Sequence, residues 1–347
     1  MKTHARTIQF LKAQQSGVQP GVSIEEVIYK TRAEEQIACD IYNPPLRKRR
    51  EGTILFLHGM SPLGHRDPRQ VNLLRSLSLV GFRVVSPLFD EIREAIITSD
   101  SITKLEFLIA EVCKSLKIKK IALFSASFSG SICMCAAARD SVKEHVSAIC
   151  TVGSFSDISS TLEYLFTADE CDSYARLIIL KNFIEIAIGK NDTVKKALTA
   201  AIHDNWHKNE GEQLDKLYAQ ISNDEKEFIE KLLHDSSFRN EKFLEARKGM
   251  VEVETAYDMF KAAKDLQCTV TLFHGHKDTV IHPEQSLKFF HYLQELKVKS
   301  TVCISPFLSH GEATISLRLI KSLFKVIQTF SFFFKSVRNS ARESSSL

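Results

Sequence analysis

The sequence has little excess of charge of either sign. It contains 46 Lys and Arg against 42 Asp and Glu, a formal net charge of +4 over 347 residues. A nucleic-acid binder neutralises phosphates with a concentrated basic surface. The densest basic run, at 47–50, follows two prolines between predicted strands and is typical of a solvated loop. The sequence therefore predicts no nucleic-acid partner.

The cysteines lack any pattern of a metal or redox site. None of the eight forms C-x-x-C, and no Cys/His cluster has zinc-ligand spacing. We therefore expect no metal and no other cofactor. Most of the cysteines lie in apolar runs, where a reduced thiol packs as a small hydrophobe. The N-terminal segment has no sustained apolar region or cleavage site of a secretory signal. Both features indicate a cytoplasmic protein.

Short apolar runs rich in β-branched residues alternate with helical patterns. The first two runs predict an antiparallel hairpin, and the later, continuous runs predict parallel strands buried on both faces. This alternation predicts an α/β fold, with a mostly parallel twisted sheet of about eight strands and helices on both faces. The strands are predicted near 24–30, 36–42, 53–57, 82–86, 119–125, 146–152, 268–274 and 299–305, and the helices near 68–80, 101–116, 130–139, 283–296 and 312–337.

Residues 156–264 break this alternation. The stretch is charged, almost free of Gly and Pro, and shows helical patterns without an evident strand. It therefore predicts an all-helical insertion into the α/β core. The expected organisation is an N-terminal extension at 1–20, a discontinuous core at 21–155 and 265–337, the helical insertion at 156–264 and a disordered tail at 338–347.

Three alternating serines stand in the stretch SASFSG, where a predicted strand gives way to a helix. A serine nucleophile needs a base, a group that orients the base, and hydrogen-bond donors for the oxyanion. A tight strand-to-helix turn can present it, with small residues two positions before and two after. Ser127 fits best, between Ser125 and Ser129. Ser129 passes the same size test between Ser127 and Ser131, and it remains the alternative nucleophile.

A second predicted strand ends in His58-Gly59 and a turn-rich loop. A backbone N–H from such a loop can meet the N–H of the residue after the nucleophile, and the pair can bind an oxyanion. That arrangement makes Met60 and Phe128 the donors. It also places His58 and Gly59 as candidate substrate-pocket residues, although a histidine at a strand end is more often structural.

Two further strand ends supply a candidate acid and base. Asp278 lies in a turn after the strand that ends in HGHKD, and His310 follows the strand-and-turn segment TVCISPFLS. The chain order Ser127, Asp278, His310 suits a hydrolase that carries its acid and histidine on successive loops. Asp157, in GSFSDIS after the preceding strand, is the alternative acid.

Together these motifs resemble the α/β-hydrolase superfamily over residues 20–155 and 265–335. The resemblance implies that Ser127 is the nucleophile, that His310 is the general base and then acid, and that Asp278 orients His310. One departure is that the elbow reads S-x-S-x-S, where the family usually has G-x-S-x-G. The insertion at 156–264 follows the sixth core strand, where such enzymes carry a helical lid.

The resemblance implies a serine hydrolase that forms an acyl-enzyme. Apolar side chains on the insertion favour a carboxylic ester with an apolar acyl chain as the small-molecule substrate, and Trp206 is a candidate pocket residue there. Thioesterase, peptidase and non-catalytic binding protein are the alternatives.

The 312–337 helix carries an apolar stripe that predicts docking on the core. Its lysines and arginines leave peripheral membrane contact as an alternative partner. The oligomeric state does not follow from the sequence.

Overall fold

The computed structural model describes residues 2–31, 34–48, 50–207, 212–306, 308–309, 312–313 and 320–343. The strands are β1 (Ser23–Lys30), β2 (Gln36–Asn43), β3 (Gly52–Leu57), β4 (Phe82–Pro87), β5 (Ile121–Ala126), β6 (Val146–Val152), β7 (Thr269–Gly275), β8 (Ser300–Ser305), β9 (Leu308–Ser309) and β10 (Glu312–Ala313). The helices are α1 (Lys2–Ser16), α2 (Pro68–Leu79), α3 (Asp90–Arg93), α4 (Asp100–Ser115), α5 (Ser129–Ala137), α6 (Ile158–Thr167), α7 (Ser173–Ile188), α8 (Asp192–His207), α9 (Glu212–Tyr218), α10 (Asn223–His234), α11 (Ser236–Ala246), α12 (Val251–Ala256), α13 (Met259–Ala263), α14 (Glu284–Glu295) and α15 (Ile320–Glu343).

The main sheet has eight strands in the order β1-β2-β4-β3-β5-β6-β7-β8. The pairs β1–β2 and β2–β4 are antiparallel, and every other neighbouring pair is parallel. The strands near the middle of the sheet, such as β3 and β5, are buried along their length, as their continuous apolar runs predict. The predicted fold class, a mostly parallel sheet of about eight strands in an α/β arrangement, is confirmed.

The first and last helices pack together on the sheet. Phe56 of β3 and Phe124 of β5 stack with ring centres 5.4 Å apart, and Phe333 of α15 lies 5.7 Å from Phe124. Phe10 of α1 contacts Phe334 of α15 at 5.5 Å. The segment predicted as an N-terminal extension at 1–20 thus contains a helix that belongs to the core, because its apolar side chains complete this aromatic cluster.

The C-terminal helix differs from its prediction at both ends. The sequence predicts a helix over 312–337, whereas residues 312–313 form β10, paired antiparallel with β9, and α15 runs from Ile320 to Glu343. The helix continues past 337 because no Gly or Pro interrupts it and Arg and Ala favour a helix. The predicted tail at 338–347 is therefore helical through Glu343, and 344–347 lie outside the described residues. No helix in the described part of the chain has the length and apolar character needed to cross a bilayer.

The chain divides into two compact units. One comprises 1–94, 99–156 and 258–347 and contains the sheet, and the other comprises 95–98 and 157–257. The described regular elements of the second unit are all helices, as expected for the insertion. Asn182 holds the short outlying segment in that unit, since its side chain accepts a hydrogen bond from Ile97 N–H at 2.8 Å and donates one to the Ala95 carbonyl at 2.9 Å.

All eight cysteines are buried and none forms a disulfide. Burial raises the pKa of the Cys133 thiol to about 12, so this thiol is protonated and inert at neutral pH. The cysteines therefore act as small apolar side chains in the packing, as their positions in apolar runs indicate.

Candidate active site

Candidate site residues follow three parallel strands of the same sheet. His58 and Gly59 follow β3, Ser127 follows β5, and Asp278 lies in the turn after β7. The strands β3, β5, β6 and β7 run parallel, so their carboxyl ends meet at one edge. The open α/β sheets of known proteins bind their ligands at this edge.

Ser127 has a strained backbone. Its φ is +55°, in the left-handed region that costs a residue with a Cβ about 1–2 kcal/mol. Its N–H donates to the Val152 carbonyl at 2.8 Å, and its carbonyl accepts from Gly130 N–H at 3.0 Å. Strain of this kind persists only where the surroundings enforce it, and it is a feature of functional sites. A strained serine between a strand and a helix has the form of a nucleophile elbow.

Gly130 explains how the elbow folds with so little glycine. A Cβ at this position would lie 2.3 Å from the Ser154 hydroxyl oxygen and 2.5 Å from the Ser154 Cβ. The start of α5 therefore packs against the loop after β6 too closely for any side chain. The close packing requires glycine at Gly130. Serine can therefore occupy the two positions that flank Ser127 in the motif, Ser125 and Ser129.

The two serines that flank Ser127 are fully buried, at 0% exposure each. The Ser129 hydroxyl donates a hydrogen bond to the His58 carbonyl. Ser125 lies within β5. Ser127, in contrast, is half-buried, and it alone of the three occupies the left-handed conformation. The observed geometry favours Ser127 over Ser129 as the candidate nucleophile.

The loop after β3 lies directly against Ser127. A Cβ on Gly59 would be 3.7 Å from the Ser127 Cβ and 3.4 Å from the Ala126 carbonyl oxygen. Met60 follows Gly59 in this loop. Phe128 follows Ser127 with helical angles (φ −47°, ψ −40°), and its buried ring lies 5.7 Å from Phe155. The structure thus brings together the two segments from which the sequence predicts the oxyanion donors.

The His58 side chain is buried, and each of its ring nitrogens contacts a backbone group. Its Nδ1 lies 2.9 Å from the Gly59 carbonyl oxygen, and its Nε2 accepts from Phe89 N–H at 3.2 Å. This pattern requires a neutral ring with its proton on Nδ1. Burial lowers the pKa of His58 to about 4, which keeps that form at neutral pH. Both ring nitrogens therefore have backbone partners beside the end of β3, and the predicted substrate-pocket role of His58 stays a prediction.

Asp278 is buried and oriented by its own turn. Its Oδ1 accepts from Val280 N–H at 2.9 Å and from Ile281 N–H at 3.0 Å, and its Oδ2 lies 3.5 Å from His274 Nε2. His274 is itself fixed, because its Nδ1 is 2.7 Å from the Ser286 hydroxyl and its Nε2 is 2.7 Å from the Ile281 carbonyl oxygen. The turn therefore holds the carboxylate in one orientation.

Asp157, the alternative acid, caps the N-terminus of α6. Its Oδ1 accepts from Ser160 N–H at 3.2 Å. This contact is the common use of an aspartate at such a position, and Asp157 belongs to the helical unit. Its role as the alternative acid stays a prediction.

His310 lies outside the described residues. The strands that precede and follow it, β9 and β10, pair antiparallel, with Ser309 opposite Glu312. β9 contacts β7, the strand that leads to Asp278.

Trp206 lies in α8 of the helical unit. Its ring centre is 5.6 Å from that of Tyr174 on α7. This contact joins two helices of the unit, and the predicted pocket role of Trp206 stays a prediction.

A charged cluster fastens the loop after β3 to the antiparallel edge of the sheet. Asp40 of β2 accepts hydrogen bonds from Arg66 Nε and from an Arg66 terminal nitrogen, both at 3.0 Å. His65 Nε2 lies 3.3 Å from the same carboxylate. Nothing in the spacing of the sequence singles out Asp40, which is 26 residues from Arg66. The one signal in the sequence is a carboxylate among the apolar residues in the middle of a strand.

No family model matches the sequence, and no curated protein matches it. Solved structures do match. Brefeldin A esterase, described as a bacterial homologue of human hormone-sensitive lipase, matches with a TM-score of 0.54 at 12% identity, over 97% of this chain and 86% of the esterase. An esterase of the fungus Rhizomucor miehei matches with a TM-score of 0.54 at 12% identity, over 96% and 91%.

A third match is the acylaminoacyl peptidase of Pyrococcus horikoshii, with a TM-score of 0.52 at 14% identity, over 92% of this chain. This chain spans 42% of the length of that peptidase. Likeness at such low identity reports the fold, and activity depends on the site residues. The sheet order, the strained serine after β5 and these matches lead to one conclusion. The chain has the α/β-hydrolase fold.

Proposed function

We propose that the protein is a serine hydrolase with Ser127 as its nucleophile. The observation that carries the proposal is the left-handed backbone of Ser127 at the carboxyl end of β5. A residue with a Cβ is strained there, and the strain has a use if the turn must present a reactive hydroxyl. The closeness of Gly59 to the Ser127 Cβ supports the proposal, since it puts a second strand-end loop beside the Ser127 side chain.

The proposed reaction is acyl transfer in two steps. The Ser127 hydroxyl oxygen attacks the substrate carbonyl carbon while His310 takes the hydroxyl proton, and the N–H groups of Met60 and Phe128 bind the oxyanion. The tetrahedral intermediate collapses as His310 gives the proton to the leaving group. Water then attacks the acyl-enzyme with His310 again as base. The carboxylic acid leaves and Ser127 regains its proton.

Asp278 is the proposed partner of His310. The turn after β7 fixes its carboxylate through two backbone N–H groups, which act on Oδ1. β9, which ends one residue before His310, contacts β7. A carboxylate held in this way orients the imidazole and stabilises the imidazolium that forms during each step.

The proposed substrate is a carboxylic ester with an apolar acyl chain. The two esterases match this chain over most of both lengths, whereas the peptidase matches over less than half of its own. The Phe, Leu and Ile content of the helices at 157–257 supports an apolar acyl group. A cytoplasmic location accompanies this proposal as a sequence-based prediction.

The test is hydrolysis of one acyl group in three linkages. Purified protein is given an ester, a thioester and an anilide of the same medium-length fatty acid, with Ser127→Ala as the inactive variant and Ser129→Ala as the matched control. We expect the ester to give the highest kcat/KM, with activity lost in Ser127→Ala and kept in Ser129→Ala. Preference for the anilide would support a peptidase instead, and no turnover of any substrate by folded protein would support a binding protein.

A further inference from the structure

A basic groove of about 750 Å³ runs along α15, between that helix, α1 and β8. Its charged lining consists of Lys325, Lys335, Arg338 and Arg342, and His4 of α1 adds an imidazole. None of the described residues that line the groove carries a carboxylate. A groove with this lining attracts anions, and its charge is concentrated in a protein whose net charge is only +4.

The helix is built to present this face. Phe333, Phe334 and Val337 are buried against the sheet. Lys335, Arg338 and Arg342 follow one another at intervals of three or four, so they lie along the opposite side of α15. The apolar stripe therefore docks the helix, and the docking leaves a row of cations outside.

Three cations of the groove, Lys325, Lys335 and Arg338, have no ion pair with a carboxylate of the described residues. Arg6 on α1 pairs with Glu51 at 2.8 Å, but no ion pair among the described residues involves Lys325, Lys335 or Arg338. Lys299 extends the positive surface, since its Nζ lies 6.0 Å from the centre of the Phe332 ring in the groove wall. An external anion can therefore reach Lys325, Lys335 and Arg338 without competing with a carboxylate of the described residues.

An exposed aromatic residue lies in line with the cations. Phe324 is 59% exposed, and it shares the face of α15 that carries Lys335 and Arg342. A free phosphate offers an exposed phenyl ring no apolar contact, whereas the boundary between headgroups and acyl chains of a lipid surface removes such a ring from water. The ring therefore favours a lipid surface over a free phosphate as the source of the anion.

We propose that the basic groove on α15 binds the phosphate headgroups of an anionic phospholipid surface, with Phe324 entering the headgroup layer. Each Lys or Arg near such a surface adds about fivefold to the affinity at moderate salt. The groove then holds the protein on the membrane by peripheral contact. This inference does not depend on the hydrolase activity.

The test is co-sedimentation of the full chain with vesicles. We expect binding to phosphatidylcholine vesicles that contain phosphatidylserine, no binding to phosphatidylcholine alone, and weakening as salt rises. The variant Lys325→Glu/Lys335→Glu should bind at least about 25-fold more weakly, because two attractive charges are lost. The control Lys119→Glu/Lys120→Glu makes the same change of charge in a separate basic cleft and should bind like wild type.

Two more variants sharpen the result. Phe324→Ser should weaken vesicle binding but not the binding of soluble inositol hexaphosphate, and Ser127→Ala should bind vesicles like wild type. Equal loss in both charge-reversal variants would overturn the proposal, since attraction would then be general. Inositol hexaphosphate binding without vesicle binding would also overturn it, in favour of a soluble anion. If folded wild-type protein binds neither the vesicles nor inositol hexaphosphate, the groove is not an anion site and the proposal is wrong.

Discussion

Ser129 donates a hydrogen bond from its hydroxyl to the carbonyl oxygen of His58. The bond joins the first residue of α5 to the end of β3, so it couples the serine elbow to the loop that carries Gly59. The G-x-S-x-G form of the elbow has glycine at this position, and glycine cannot make the bond. The serine-rich elbow thus gains a contact across the site.

Replacing Ser129 with alanine should lower the free energy of unfolding and leave the reactivity of Ser127 unchanged. The buried His58 carbonyl would lose this hydroxyl donor, a cost of about 1–3 kcal/mol in the free energy of unfolding. Urea unfolding measures that loss, and reaction with a fluorophosphonate probe should persist. A folded Ser129→Ala protein that no longer reacts would instead make Ser129 the nucleophile.

Replacing Ser127 with glycine should raise stability while it abolishes activity. Glycine adopts φ of +55° without the steric cost that serine bears, so we expect a gain of about 1 kcal/mol in the free energy of unfolding. Ser127→Ala is the matched control, since it removes the hydroxyl but keeps the Cβ and the strain. Thermal and urea unfolding of both variants make the comparison. Equal stability of the two would mean that the left-handed backbone is not strained.

The two candidate acids predict opposite phenotypes. Asp278→Asn should lower kcat by about 10⁴-fold, because an amide cannot stabilise the imidazolium. Asp157→Asn should leave kcat nearly unchanged, because asparagine also caps helices well. Steady-state kinetics on one ester distinguish them. The reverse pattern would move the acid to Asp157 and would assign Asp278 to the structure of its turn.

His58 should make stability fall in weak acid. Its pKa is lowered from 6.5 to about 4 in the folded protein, so between those pH values the unfolded chain binds a proton that the folded one excludes. The free energy of unfolding should therefore be unaffected above pH 6.5 and fall by up to about 3 kcal/mol as the pH drops to 4. His58→Gln should be less stable at pH 7.5 but lose part of this slope. Identical slopes for both proteins would show that His58 is protonated when folded.

The strands and the elbow could be predicted because local chemistry determines them. Buried parallel strands need long apolar runs, and the turn at Ser127 needs small neighbours, and both requirements are visible in the residues themselves. The predicted start of the C-terminal helix is too early because Glu312–Ala313 pairs with Leu308–Ser309 as a two-residue strand, and strands this short leave no helical or alternating signature. Two further relationships, the Ser129–His58 bond and the fastening of Arg66 by Asp40, join residues far apart in the chain. No local pattern predicts them.

The most direct test of the central claim is to locate the adduct of a fluorophosphonate probe by mass spectrometry of the digested protein. An activated serine reacts with the probe, whereas the other serines of a folded protein do not. We expect one adduct, on Ser127, that is absent from Ser127→Ala and from His310→Ala. A folded wild-type protein without an adduct, or with its adduct on another serine, would contradict the account.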